Sequence, residues 1–141
     1  MKNMEIYTKE TISYLKGIEK SLKNYQGIVY VIEYGDAVKI GYTKNPYQRY
    51  MSLRRNARYG ESVIGRIAIS SIHTNYKENE KLLHNMFAAN RKQNTELFSI
   101  PFDECVSQVN SIDNITFEDR SDELDKKGEA FTGFMKDYTM G

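Results

Sequence analysis

The run Gly27-Ile28-Val29-Tyr30-Val31-Ile32-Glu33-Tyr34-Gly35-Asp36-Ala37-Val38-Lys39-Ile40-Gly41-Tyr42 holds two short β-prone segments around a Gly-Asp turn. β-Branched and aromatic residues fill both halves, and the turn pair sits between them, which predicts a β-hairpin. Upstream, Ile12, Leu15, Ile18 and Leu22 recur at spacings of three and four, predicting an amphipathic helix from about Thr8, its N-cap, to Asn24. Downstream, Lys44-Asn45-Pro46 ends the second strand, and Pro46 opens a helix to about Tyr59. On that helix Tyr50, Leu53 and Ala57 can face inward, while Arg54, Arg55 and Arg58 face out.

Ser62 to Ser71 reads as a third strand, followed by a helix from Tyr76 to about Ala89, where Asn75 and Glu78 have capping-box spacing. Glu96 to Ile100 reads as a short edge strand and Phe102 to Ile112 as a helix. A further weakly packed helix is expected around Phe131, Phe134 and Met135. The expected class is α+β, a small and mainly antiparallel three-stranded sheet flanked by helices, with extra N- and C-terminal helices. The division follows: an N-terminal helical appendage (1–25), a central domain (26–101) and an acidic helical extension (102–141).

At 141 residues the chain suits one compact domain with appendages. No stretch approaches the ~20 apolar residues of a membrane span, and no N-terminal apolar run ends in a small-residue cleavage site. A single cysteine, Cys105, excludes an internal disulfide and suits a reducing cytoplasm, where the thiol is expected to be a structural one. The net charge of +1 hides an asymmetry. Between Lys39 and Arg66 stand seven basic residues against one acid, and from Pro101 onward ten acids against four bases. A basic patch of this kind suits a polyanion, or else pairs with the acidic tail.

At the hairpin the residue order becomes specific. Ile28-Val29-Tyr30, then Lys39-Ile40-Gly41, then Arg49 in the next helix, Glu80-Lys81-Leu82-Leu83-His84 in a later one and finally Thr95-Glu96-Leu97-Phe98 resemble the GIY-YIG nuclease superfamily. The Glu-x-x-x-His helix before a Glu-aromatic-Phe-like segment resembles its phage and prophage subgroup. The resemblance runs from Gly27 to Ile100, about half the chain. It implies hydrolysis of DNA phosphodiesters with one divalent metal, Mg²⁺ or Mn²⁺. Tyr30 matches the general base, Arg49 the arginine that stabilises the pentavalent phosphate, Glu80 the metal ligand and Gly41 the motif glycine. His84, four residues after Glu80, reads either as a proton relay or phosphate contact in the same cleft or as a helix-capping or half-buried histidine. Two positions depart from the pattern: Lys39 stands for the second tyrosine, and Ile28 for the first glycine, with Gly27 one place earlier.

These assignments set physical requirements. A free tyrosine, with a pKa of about 10, is only about 0.1% phenolate at pH 7, so Tyr30 needs a neighbouring cation, and Lys39 across the hairpin has the right charge. Arg49 offers a planar fork for phosphate oxygens. A hard oxygen ligand such as Glu80, with waters retained, suits Mg²⁺. Lys44, Arg54, Arg55 and Arg58 would neutralise DNA phosphates, with Arg91 and Lys92 as further candidates. The acidic tail would fold over this basic face and dampen binding.

Simpler readings use the same residues: a strand tyrosine that only packs, a solvated helix glutamate, a glycine at a bulge. At the level of function the alternatives are a DNA-binding regulator without catalysis, favoured by Lys39, and an interaction module that meets a protein partner or itself through the terminal helices. The histidines, His73 and His84 alone, exclude a multi-histidine zinc site.

Overall fold

The computed structural model describes residues 3–56, 63–93 and 95–124. Alternating apolar side chains on the hairpin build the centre of an antiparallel sheet. Its strands are β1 (Glu5–Tyr7), β2 (Ile28–Tyr34), β3 (Ala37–Thr43), β4 (Ile64–Ile69) and β5 (Leu97–Phe98), in the order β1-β4-β2-β3-β5. The α+β class therefore holds, but the sheet has five strands rather than three. The unforeseen strand, β1, is too short for its periodicity to show: Glu5 and Ile6 are exposed and only its pairing with β4 makes it a strand.

Helices cover both faces, which explains why β2 is apolar almost throughout. On one face Val29, Val31, Val38, Ile40 and Ala68 meet Leu83 and Phe87 of α3 (Tyr76–Met86) and its extension, and Phe102, Val106 and Val109 of α4 (Phe102–Asn110). On the other face Ile28, Tyr30, Ile32, Ile67 and Ile69 meet Ile12, Leu15 of α1 (Leu15–Ser21) and Tyr50 of α2 (Pro46–Asn56). A fully buried aliphatic side chain contributes about 1.5–3 kcal/mol against exposure, and a surface ion pair about 0–1 kcal/mol. Packing on these two faces thus dominates the fold. Only the loop glycine Gly35, of the two residues between β2 and β3, has a positive φ, 63°, a conformation that costs other residues strain.

The N-terminal helix is shorter than its periodicity suggests. A 3-10 turn (Ile12–Tyr14) precedes α1, and Thr8 caps nothing: its backbone N–H donates to Thr11 Oγ1. The Asn75–Glu78 capping box does not form either. Asn75 turns instead to the chain after α4, its Nδ2 donating to Thr116 and its Oδ1 accepting from Glu118 N–H. The expected helix around Phe131, Phe134 and Met135, and the end of the Pro46 helix with Ala57 and Arg58, lie outside the described residues.

Candidate active site

The edge strand of the hairpin decides where a site can form. Among the described residues β5 pairs with β3 only at Val38 and Lys39, so β3 beyond Ile40 presents an open edge. At that edge Tyr30, Ile40, Gly41, Tyr42, Arg49, Glu80, His84 and Glu96 line a polar cavity of about 210 Å³. Five separate segments contribute: β2, β3, α2, α3 and the residue before β5.

Tyr30 and Gly41 are cross-strand partners. A Cβ at Gly41 would stand 2.5 Å from Tyr30 Oη and 2.7 Å from Cζ, so the glycine lets the phenol lie across β3 and reach its edge. Tyr30 is 2% exposed, and that burial pushes its pKa up to about 12. Arg49 works against the rise, while Glu96 and Glu80 add to it.

Arg49 follows from the seating of α2. Its neighbour Tyr50 is fully buried and donates its hydroxyl to the Gly65 carbonyl at 2.7 Å, tying the helix to β4. Glu19 of α1 accepts the Gln48 backbone N–H at 3.0 Å, satisfying a donor of the first turn. Arg49 is left exposed on the cavity wall. It also lines a wider groove of about 550 Å³ along α2, with Arg55, Thr43 and Asn45.

Glu80 and His84 come from the other face of the sheet, one turn apart on α3. His84 Nε2 donates to the Ile40 carbonyl at 2.8 Å, which fixes the ring and the position of that proton, because a carbonyl only accepts. The same nitrogen lies 3.6 Å from Glu80 Oε1. The Phe98 ring packs against the imidazole with centroids 5.1 Å apart.

Lys39 stands differently from its expected place. The register pairs it with Ile32, not Tyr30, and its ammonium holds the Glu96 carboxylate. It is not among the cavity-lining residues, and Arg49 is the cation that draws the Tyr30 pKa down. The pairing holds the Glu96 carboxyl below the usual carboxylate range. Arg66 also leaves the basic surface, since it makes a two-pronged contact to Glu33 and a further one to Asp103. Of the DNA-contact candidates, Arg55 is exposed on the α2 groove, Arg54 is half-buried, and Lys44 is exposed with its Nζ donating to the Gln26 carbonyl. Arg58 lies outside the described residues. Cys105 is fully buried, and burial pushes its thiol up to about 12, as suits an inert structural residue. Tyr42 was not anticipated; its place directly after Gly41 was the one available signal.

The T5orf172 domain matches residues 27–113, more than half of the chain. The chain belongs to this family. The matched span of the T5orf172 domain begins at the glycine before β2 and ends beyond α4, so it contains every residue of the cavity. No curated protein and no solved structure matches the chain. Among the described residues no helix is long and apolar enough to cross a membrane.

Proposed function

We propose that this T5orf172 domain is a divalent-metal-dependent DNA endonuclease of GIY-YIG type. The family is associated with phage-type, GIY-YIG-like nuclease-related proteins, which supports a DNA-related role. The observation that carries the finer reading is the convergence of Tyr30, Arg49, Glu80 and His84 on one cavity at an open strand edge.

The donor set suits a single hard divalent ion such as Mg²⁺ or Mn²⁺. Among the described residues no three His, Cys, Asp or Glu side chains cluster as a metal cage. Of the two carboxylates lining the cavity, Glu96 is held by Lys39, and Glu80 would be the ligand, in a polar cavity with room for retained waters, the arrangement Mg²⁺ prefers. Held by Glu80, such an ion would supply positive charge to offset the charge that develops on the reacting phosphate. Arg49, exposed and fork-shaped, grips the phosphate from the α2 side. Tyr30 takes the proton of the attacking water, and Arg49 stabilises its phenolate. His84, with its Nε2 proton committed to Ile40, holds the edge of β3 in place beside Glu80. Lys39 acts one step removed by holding Glu96.

With a pKa near 12, only about one Tyr30 in 10⁵ is phenolate at pH 7 in the metal-free site. This favours the second reading, a DNA-binding regulator without catalysis. Supercoiled plasmid incubated with Mg²⁺ or Mn²⁺ separates the two. For a nuclease, nicking appears, disappears with EDTA and with Glu80→Ala, and rises with pH between 7 and 9 as more phenolate forms. Tyr30→Phe should lower that rate by about 10²–10⁴-fold. A plasmid shifted in a gel but never cut by the wild type establishes the regulator instead.

A further inference from the structure

Tyr42, Lys44 and Tyr76 form a patch beside the cavity that the chemistry above does not use. The Tyr42 and Tyr76 rings lie 5.5 Å apart, tilted by 49°, and Lys44 Nζ is 6.0 Å from the Tyr76 ring centroid. Tyr76 is a fixed backing. It is 7% exposed and so close to Gly27 that a Cβ there would stand 2.8 Å from its ring. Tyr42 is 39% exposed and also lines the cavity with Arg49 and Glu80. Tyr42 keeps part of its ring in solvent on the cavity wall it shares with Arg49, while the Lys44 ammonium lies over the ring of the Tyr76 that backs it.

We propose that Tyr42 and Lys44, backed by Tyr76, seat one unpaired nucleotide beside the phosphate at Arg49 and Glu80. The base stacks on the Tyr42 ring and the neighbouring phosphate meets the Lys44 ammonium. A base inside a duplex has both faces taken by its neighbours, so this seat selects a single-stranded end, a flap or an extruded base. The inference rests on the nucleic-acid reading of the cavity and narrows its substrate class.

Single-stranded DNA carrying 2-aminopurine, titrated with the full chain in EDTA, tests it by fluorescence quenching and anisotropy. Wild type and Tyr42→Phe should quench the probe and bind alike. Tyr42→Leu should lose the quenching and bind about tenfold more weakly, with affinity for a blunt duplex unchanged. Lys44→Gln should keep the quenching and reduce the salt dependence by about one phosphate contact. Tyr42→Leu behaving as wild type on single strands, or losing equally on the blunt duplex, overturns the seat, as does failure of the wild type to bind single strands. Because EDTA removes cleavage from the measurement, an uncut plasmid leaves the seat standing, and an active nuclease with an inert Tyr42 overturns the seat alone.

Discussion

Gly41 and Gly27 each lie flush against a tyrosine ring, Tyr30 and Tyr76, one on either face of the hairpin. Added methyl groups at such positions typically cost about 1–3 kcal/mol by overpacking. Gly41→Ala is the sharper probe, because the displaced atom is the Tyr30 hydroxyl. We expect a stability loss of about 1–3 kcal/mol in urea denaturation and a larger loss of plasmid nicking than that destabilisation explains. Full activity with unchanged stability would contradict the close approach. The sequence carried the identity of this pair, since an ordered Tyr30, Gly41, Arg49 and Glu80 is legible without coordinates. It did not carry Lys39's partner: a short edge strand at Glu96 to Ile100 was legible, but its pairing beside Lys39 was not, because two residues set no register.

At the scale of elements, the chain after α4 is strapped to the start of α3, to the loop before it and to Gln26 ahead of β2. Thr74 N–H donates to the Glu118 carbonyl at 2.7 Å, Asn79 Nδ2 to Thr116 at 2.8 Å and Gln26 Nε2 to Asp119 at 2.9 Å. Beneath this strap His73 is fully buried against Phe117, its ring centroid 4.9 Å from that of the phenyl. Its Nδ1 donates to the Ser71 carbonyl at 2.7 Å, and Nε2 has no hydrogen-bond partner among the described residues. Burial holds its pKa below the ordinary 6.5, with Ser71, Asp119 and Glu78 opposing. The unfolded chain therefore binds a proton near 6.5 while the folded one stays neutral. Stability is fully present above that value and is lost as the pH falls through the folded pKa. Urea midpoints should drop between pH 7.5 and 5.5 for the wild type and stay flatter for His73→Asn, which can keep the donor to Ser71. Equal slopes would remove His73 as the cause. Helices and strands of the hairpin unit were legible from their periods. The strap was not, because its hydrogen bonds join residues 37 to 93 positions apart.

For the whole molecule, the described part of the acidic C-terminal region is structural before it is electrostatic. Asp103 binds Arg66, Glu123 binds Arg120, and Ile115, 1% exposed, belongs to the α3–α4 side of the core. A chain cut after Ile112 loses Ile115, Phe117 and the strap together. Its thermal midpoint should fall sharply, Ile115 alone being worth about 2–5 kcal/mol. A chain ending at Leu124 keeps that core, so a gain in DNA affinity there would report relief from the acidic tail. An unchanged midpoint after the shorter cut would mean that the strap contributes nothing.

The open margin of β3 has one more consequence. An uncovered strand edge is an invitation for another chain to add itself, and proteins commonly discourage this with charge and with very short neighbouring strands. Here the deterrent and the candidate chemistry are the same side chains: Arg49 and Glu80 flank the edge, and His84 occupies the Ile40 carbonyl that an incoming strand would need. Under the proposed chemistry, the side chains that discourage strand addition are those that would meet substrate, so a substitution there would disturb both duties at once.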